Sequence, residues 1–335
     1  MWIWLLGCTA GQGGFTVSES DPSTTKPPPS TDEPTSTTGI VPTTDTPGTT
    51  DTGTPPEPTA TTLPPPDCAN LEPEPLEINE LGNPRGYHGL AFDLDGRIIG
   101  SDNNNLAGVT HDDVFTVLGT GLGTLQQMDW LPDGNLAFAS QIAGGIITFD
   151  VATGTGELLN GDMANAYGVV LGPDGKLWTA DSNKVERIDL ATGEEETFLD
   201  NGAISPHAIG FNLDFSRLYI GTIGGDLWYV ELDEFYERIG EPVEFVSNMG
   251  GWHDCVVVDA CDNVYVCDFT TSSLYRISPD GQEGTFVNWN SDTYGHGAVF
   301  GNGVGGWRKD AIYLPQPYDD NTVVEVVLGI GAAHP

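Results

Sequence analysis

Val169-Val-Leu-Gly-Pro-Asp-Gly-Lys-Leu-Trp178 holds two short apolar runs on either side of a Pro-Asp-Gly turn. Glycine accepts the positive φ that a tight turn needs, so the stretch reads as a β-hairpin. The same pattern recurs as Leu90-Ala-Phe-Asp-Leu-Asp-Gly-Arg-Ile-Ile99, Met128-Asp-Trp-Leu-Pro-Asp-Gly-Asn-Leu-Ala-Phe138, Ile209-Gly-Phe-Asn-Leu-Asp-Phe-Ser-Arg-Leu-Tyr-Ile220 and Val256-Val-Val-Asp-Ala-Cys-Asp-Asn-Val-Tyr-Val266. A looser sixth copy joins Ala298-Val-Phe300 to Ala311-Ile-Tyr-Leu314 across a Gly-rich insertion. The runs are rich in Val, Ile, Phe, Tyr and Trp, which favours strand. No long segment carries the 3.6-residue apolar period of a helix.

Most units add a third run, such as Gly145-Ile-Ile-Thr-Phe-Asp150 and Leu274-Tyr-Arg-Ile277, and a fourth, such as Phe115-Thr-Val-Leu118 and Thr285-Phe-Val287. Four strands at a period of roughly 40 residues predict an all-β, six-bladed propeller. The sixth unit ends with its third run, Thr322-Val-Val-Glu-Val-Val-Leu328. An unclaimed run, Leu76-Glu-Ile-Asn79, precedes the first unit. It is predicted to complete the sixth blade and lock the ring, which removes an open sheet edge.

Just ahead of each unit stands one register residue: His88, Gln126, Tyr167, His207, His253 and His296, spaced 38, 41, 40, 46 and 43 residues apart. Equivalent positions of a ring face one axis, so the four imidazoles are expected to converge on a central pocket. One reading is a metal site of His88, His207 and His296, completed by His253 or Asp254, that activates water or a carbonyl as a Lewis acid. A metal-free reading uses His207 as general base, with Tyr167 or Asp129 nearby. Gln126 and Trp252 are expected to line the pocket. The opposing reading is that histidines at this register merely cap strands. Gly301-Asn-Gly-Val-Gly-Gly306 fits a dinucleotide fingerprint by spacing, but no helix follows it, so it reads as a blade insertion.

Residues 1–16 read as the tail of a secretory signal, with Leu5-Leu-Gly-Cys8 similar to a bacterial lipobox and Cys8 as the acylated residue. The alternative is a chance cysteine after an apolar start. Residues 17–67 are Thr, Pro, Ser and acid without an aromatic ring, a composition that cannot offset its own ordering entropy and reads as a disordered spacer. Residues 68–335 form the propeller domain. The expected location is the cell envelope, outside the cytoplasm, with membrane contact only through the lipid. A net charge of −38 argues against nucleic acid as a partner. The expected partner is a small-molecule ligand or an envelope protein, and the chain is expected to be a monomer.

Lipidation of Cys8 leaves four cysteines. If Val258 pairs with Val264 across the fifth-unit hairpin, Cys255 faces Cys267 at disulfide range, and Cys261 is left for Cys68. Other pairings stay open, as does a metal cluster of the three neighbouring thiols, although their six-residue spacing is not that of a zinc knuckle.

From about Leu76 to Leu328 these units resemble the SMP-30/gluconolactonase/LRE-like propellers, together with NHL-repeat and virginiamycin B lyase-like propellers. Ala166-Tyr-Gly-Val-Val-Leu-Gly-Pro-Asp-Gly-Lys-Leu-Trp178 with Arg187-Ile-Asp-Leu-Ala-Thr-Gly193 is most similar to the lyase-type repeat. The fourth unit resembles the Asn-Gly-Leu-x-Phe-Ser-Pro-Asp-Gly stretch of gluconolactonases. The resemblance implies a divalent metal held by a Glu, Asn residues and an Asp, which fall here on His88, His207 and Asp254. Only Asp254 keeps its kind. Two oxygen ligands replaced by imidazoles favour a transition metal over calcium. Two functions follow as expectations: a metal-dependent, lactonase-like hydrolase or a lyase on a small substrate, and a non-catalytic binding propeller.

Overall fold

The computed structural model describes residues 65–81, 88–102, 104–163, 165–289, 296–316 and 322–335. Residues 1–16, Cys8 and nearly all of the 17–67 spacer lie outside the described residues. Six four-stranded antiparallel sheets make up the fold, and no helix occurs among the described residues. The first strands of blades one to five contact one another in turn around the hub, and the first strand of blade one also meets the second strand of blade six. In blades one to six these inner strands are Leu90–Phe92, Leu125–Trp130, Ala166–Leu171, Pro206–Phe211, His253–Val258 and Val299–Phe300. The outermost strands are more exposed, as in Phe115–Thr120 and Glu195–Asp200.

The predicted ring closure is present. Glu77–Leu81 pairs antiparallel with Thr322–Val327, from Glu77 opposite Val327 to Leu81 opposite Val323. Asn79 Nδ2 donates to Glu325 Oε1 across this join at 2.9 Å. The N-terminal segment is also tied to blade five by a Cys68–Cys261 disulfide, and Cys255–Cys267 links two paired strands of the same blade. Val258 does stand opposite Val264, the register that sets those two cysteines face to face.

The core is partitioned by the same geometry. Six apolar clusters occur, one at each interface between adjacent blades. Trp178, Tyr219, Tyr265 and Tyr313, all fully buried, are contributed by second strands of the blades. Trp307 packs in the cluster between blades six and one, with its indole N–H on the Gly96 carbonyl, so it does not border the hub mouth.

The inner hairpins use the predicted turn. Gly134 and Gly175 take φ of +87° and +78°. The fourth copy has Phe215 at this place, with φ +58°, a conformation that costs a side chain with a Cβ about 1 kcal/mol or more. The Phe215 ring stacks on His334 at 4.0 Å between centroids, which offsets part of that cost.

Cys68–Cys261 closes a span of 193 residues. A Cys261→Ser variant is expected to lose about 2–4 kcal/mol of stability by chemical denaturation. An unchanged denaturation midpoint would show that the strand pairing of Glu77–Leu81 holds the ring without the staple.

Candidate functional site

Each inner strand of blades two to five carries a β-bulge at its beginning. The irregularities fall between Leu125 and Met128, Ala166 and Val169, Pro206 and Ala208, and His253 and Cys255. A bulge re-aims the residues it leaves unpaired. Counting back from the paired residues Val169, Ile209 and Val256, the equivalent positions are Tyr167, His207 and Asp254. Blade five therefore presents Asp254 at the place where the sequence spacing puts His253.

This corrects one candidate. His253 pairs opposite Asp268 and is fully buried, with its Cβ beside Gly221 of blade four and Nε2 3.9 Å from Asp268 Oδ2. A one-residue slip sends a strand side chain to the opposite face, and here that face is the interface between blades four and five. His253 is thus not grouped with the other imidazoles. Its main-chain carbonyl is, because it accepts the Nδ1–H of His207 at 3.1 Å.

The remaining register residues do converge. Asp254 bridges two imidazoles: its Oδ1 lies 3.1 Å from His207 Nδ1 and its Oδ2 2.7 Å from His296 Nδ1. His88 packs edge-on against His296 with centroids 4.4 Å apart, and its Nδ1 is 3.4 Å from the Tyr167 hydroxyl. Tyr167 stacks on His207 at 3.5 Å. Gln126, from blade two, is buried, and its Oε1 has no hydrogen-bond partner among the described residues. Trp252 stands beside His207 at 6.0 Å and is 46% exposed. Phe269, unmarked in the sequence reading, packs on His296 at 4.4 Å.

Close packing of the backbone explains the residues that follow this ring. A Cβ at Gly89 would run into the Gln126 carbonyl, and one at Gly297 into the His88 carbonyl. The repeated His-Gly pairs are thus a steric requirement of the hub, because only glycine lets the neighbouring chain come so near.

Asp129 is a second correction. It accepts the N–H of Leu171 and the N–H of Trp130, at 2.7 and 2.8 Å, and so links blades two and three. Leu171 is four residues along its strand from Tyr167, roughly 13 Å at strand rise. Burial raises the Asp129 pKa to about 6, against the pull of those two N–H groups. The group stands away from the imidazoles and is not available to them as an acid or base.

The electrostatics of the ring follow from its contents. Burial opposes ionisation of Asp254, yet the hydrogen bonds from His207 and His296 outweigh it and hold the carboxyl at about 2. Burial, with the neighbouring His296, lowers the His88 pKa to about 3, so this imidazole is neutral at ordinary pH. Both acceptors near His207 Nδ1 require a proton on that nitrogen, which leaves Nε2 as the basic atom. His296 Nδ1 lies 2.7 Å from Asp254 Oδ2, so the two atoms share a proton in the metal-free protein and are placed to share an ion once that proton is lost.

One nitrogen each of His88 and His296 and one oxygen of Asp254 lie within 4.8 Å of one another. Two imidazoles and a carboxylate fit a divalent transition ion and fit calcium poorly, since calcium takes six or more oxygens.

The His88 shift makes a prediction for protein freed of metal. The unfolded chain takes up a proton on His88 below about 6.5 while the folded chain does not until about 3, so stability falls as pH drops through this window. His88→Asn should reduce the loss between pH 6.5 and 4.5 by about 2 kcal/mol in denaturant titrations. Asp129 acts with the opposite sign between about 4 and 6 but is common to both chains. Parallel stability curves for the two would refute the burial of His88 in a neutral state.

The fold is similar to several solved structures. A gluconolactonase of Xanthomonas campestris, described as important in glucose secondary metabolic pathways, shares 14% identity over 75% of this chain and 89% of its own, with a TM-score of 0.63. Regucalcin of Agrobacterium tumefaciens, a calcium-binding protein, shares 16% over 76% and 94%, with a TM-score of 0.60. A catalytically inactive His-to-Ala variant of virginiamycin B lyase from Staphylococcus aureus, solved with quinupristin, shares 18% over 75% and 88%, with a TM-score of 0.52. No protein-family model matches the chain, and no curated protein matches it. The chain is a six-bladed β-propeller of the architecture shared by gluconolactonase, regucalcin and virginiamycin B lyase.

Proposed function

We propose that this chain is a metal-dependent, lactonase-like hydrolase or lyase that cleaves a small carbonyl substrate at the hub mouth. The observation that carries the reading is the single carboxylate of Asp254 held between the Nδ1 atoms of His207 and His296, with His88 completing the group. A divalent transition ion held by His88, His296 and Asp254 would supply Lewis acidity toward a carbonyl or a water.

The protein's own residues supply the rest. His207 donates Nδ1–H to the His253 carbonyl and lies against Asp254, so its Nε2 is the atom that takes a proton. Tyr167, stacked on that ring, restricts its rotation. Trp252 offers an exposed aromatic face at the mouth, against which the non-reacting part of a substrate packs. Gln126 brings an amide whose oxygen has no hydrogen-bond partner among the described residues, a suitable hydrogen-bonding group for a substrate.

Relatives in fold support the chemistry without fixing the substrate. One is a gluconolactonase, and another is a lyase that is inactive after replacement of a histidine by alanine. Two disulfides accord with an oxidising compartment, and with the Cys8 lipobox they support an anchored, extracytoplasmic enzyme.

The test is turnover of a panel of γ- and δ-lactones and cyclic esters by purified protein, chelated and then supplied with zinc or manganese. The native chain is expected to be active only with metal. His207→Ala should lower kcat by about 10²–10⁴ with little change in KM. If neither metal supports turnover, and ligand capture is the same in His207→Ala, the chain is a non-catalytic binding propeller.

A further inference from the structure

The hub is divided into two compartments. Gln127 leaves blade two, and its Nε2 donates to the main-chain oxygen of Asp254 at 2.9 Å. Blades two and five are opposite each other, so this side chain crosses the axis. Beyond it, away from the imidazoles, lies a cavity of about 820 Å³. That size is within the usual range for small-molecule sites, roughly 300–1,000 Å³.

The cavity is apolar. Val170, Leu171, Val257, Ala298 and Phe300 line it and are only half-buried, so they present hydrocarbon to the lumen. The segment from Gly329 to Ala332 borders its outer end, held there by the Ala260 N–H on the Gly331 carbonyl and by a bridge between Asp259 and Ala332.

Three titratable side chains border this space: Asp129, His334 and Lys309. The first two are satisfied within the chain. Asp129 accepts two main-chain N–H groups, and His334 stacks on Phe215 with its Nε2 2.9 Å from the Asn212 carbonyl. Lys309 differs. It is half-buried, and among the described residues no carboxylate lies within 4 Å of its ammonium. The chain carries 49 acidic and 11 basic residues, so a lysine without a carboxylate partner, bordering an apolar lumen with its stem packed on Gly303, is out of keeping with the rest of the surface.

We propose that this second compartment binds an amphipathic anion, an unbranched hydrocarbon chain ending in one carboxylate. The hydrocarbon fills the lumen and the carboxylate pairs with Lys309. The site is separate from the imidazole ring and does not depend on catalysis there.

The test is isothermal titration of the native chain with octanoate, decanoate and dodecanoate, and with dodecanol as the uncharged counterpart. One saturable site is expected, tightening by roughly threefold or more for each added methylene. Lys309→Met should weaken dodecanoate at least about tenfold, the worth of a charge-assisted hydrogen bond, and leave dodecanol unchanged. Near-ultraviolet dichroism checks that the variant is folded. Ala298→Phe, which occupies the lumen, should weaken both ligands. No saturable binding, equal affinity for acid and alcohol, or dodecanoate binding untouched by Lys309→Met would each overturn the proposal.

Discussion

Six strands begin around one axis, and at that height there is room for one side chain from each. This crowding determines the chemistry of the hub. The ring holds three imidazoles, a phenol, an amide and a single carboxylate. An isolated buried carboxylate would be expensive. Asp254 avoids that cost because an imidazole nitrogen lies within 3.1 Å of each of its oxygens. For His207 the Nδ1 contacts fix the tautomer and leave Nε2 as the free nitrogen. Substituting Asp254 would release two rings at once, so the arrangement behaves as a unit rather than a set of independent ligands.

The scaffold supplies the rigidity that such a unit needs. Each interface between blades has its own apolar cluster, and the ring is closed by a strand from the start of the domain and a disulfide near it. The axis is further braced from within. Gln127 ties blade two to blade five beneath the ring, and Asp129 ties blade two to blade three below that. The outcome is a buried polar ring at one level of the hub and an apolar chamber at another.

Most of the architecture was legible in the sequence, because hairpin turns and strand residues recur at a fixed period. Strand closure by the run near Ile78 and the pairing of Cys255 with Cys267 followed from counting residues along strands. The hub was legible in part. His88, Tyr167, His207 and His296 were picked out by their shared register and lie in a chain of ring contacts, and Asp254 was named as one of two candidates in blade five. What misled was similarity of residue type: Trp252-His253 resembles Tyr87-His88, yet the bulge in blade five puts the next residue on the axis. Counting back from Val256, as from Val169 and Ile209, selects Asp254. Asp129 failed for another reason. It shares a strand with Gln126, but three residues of strand carry it to another level of the tunnel. Gln127 had no sequence signal, since only the three-dimensional diameter of the hub shows that one amide can span it.

The central claim is that Asp254, His88 and His296, rather than His253, form the ligand set of a transition-metal site. The most direct measurement is an anomalous-scattering map from crystals of the protein loaded with zinc. The account predicts one strong peak on the propeller axis, within about 2.0–2.2 Å of a nitrogen of His88, a nitrogen of His296 and an oxygen of Asp254. A peak between blades four and five at His253 and Asp268, or an axis with no peak at saturating zinc, would contradict it.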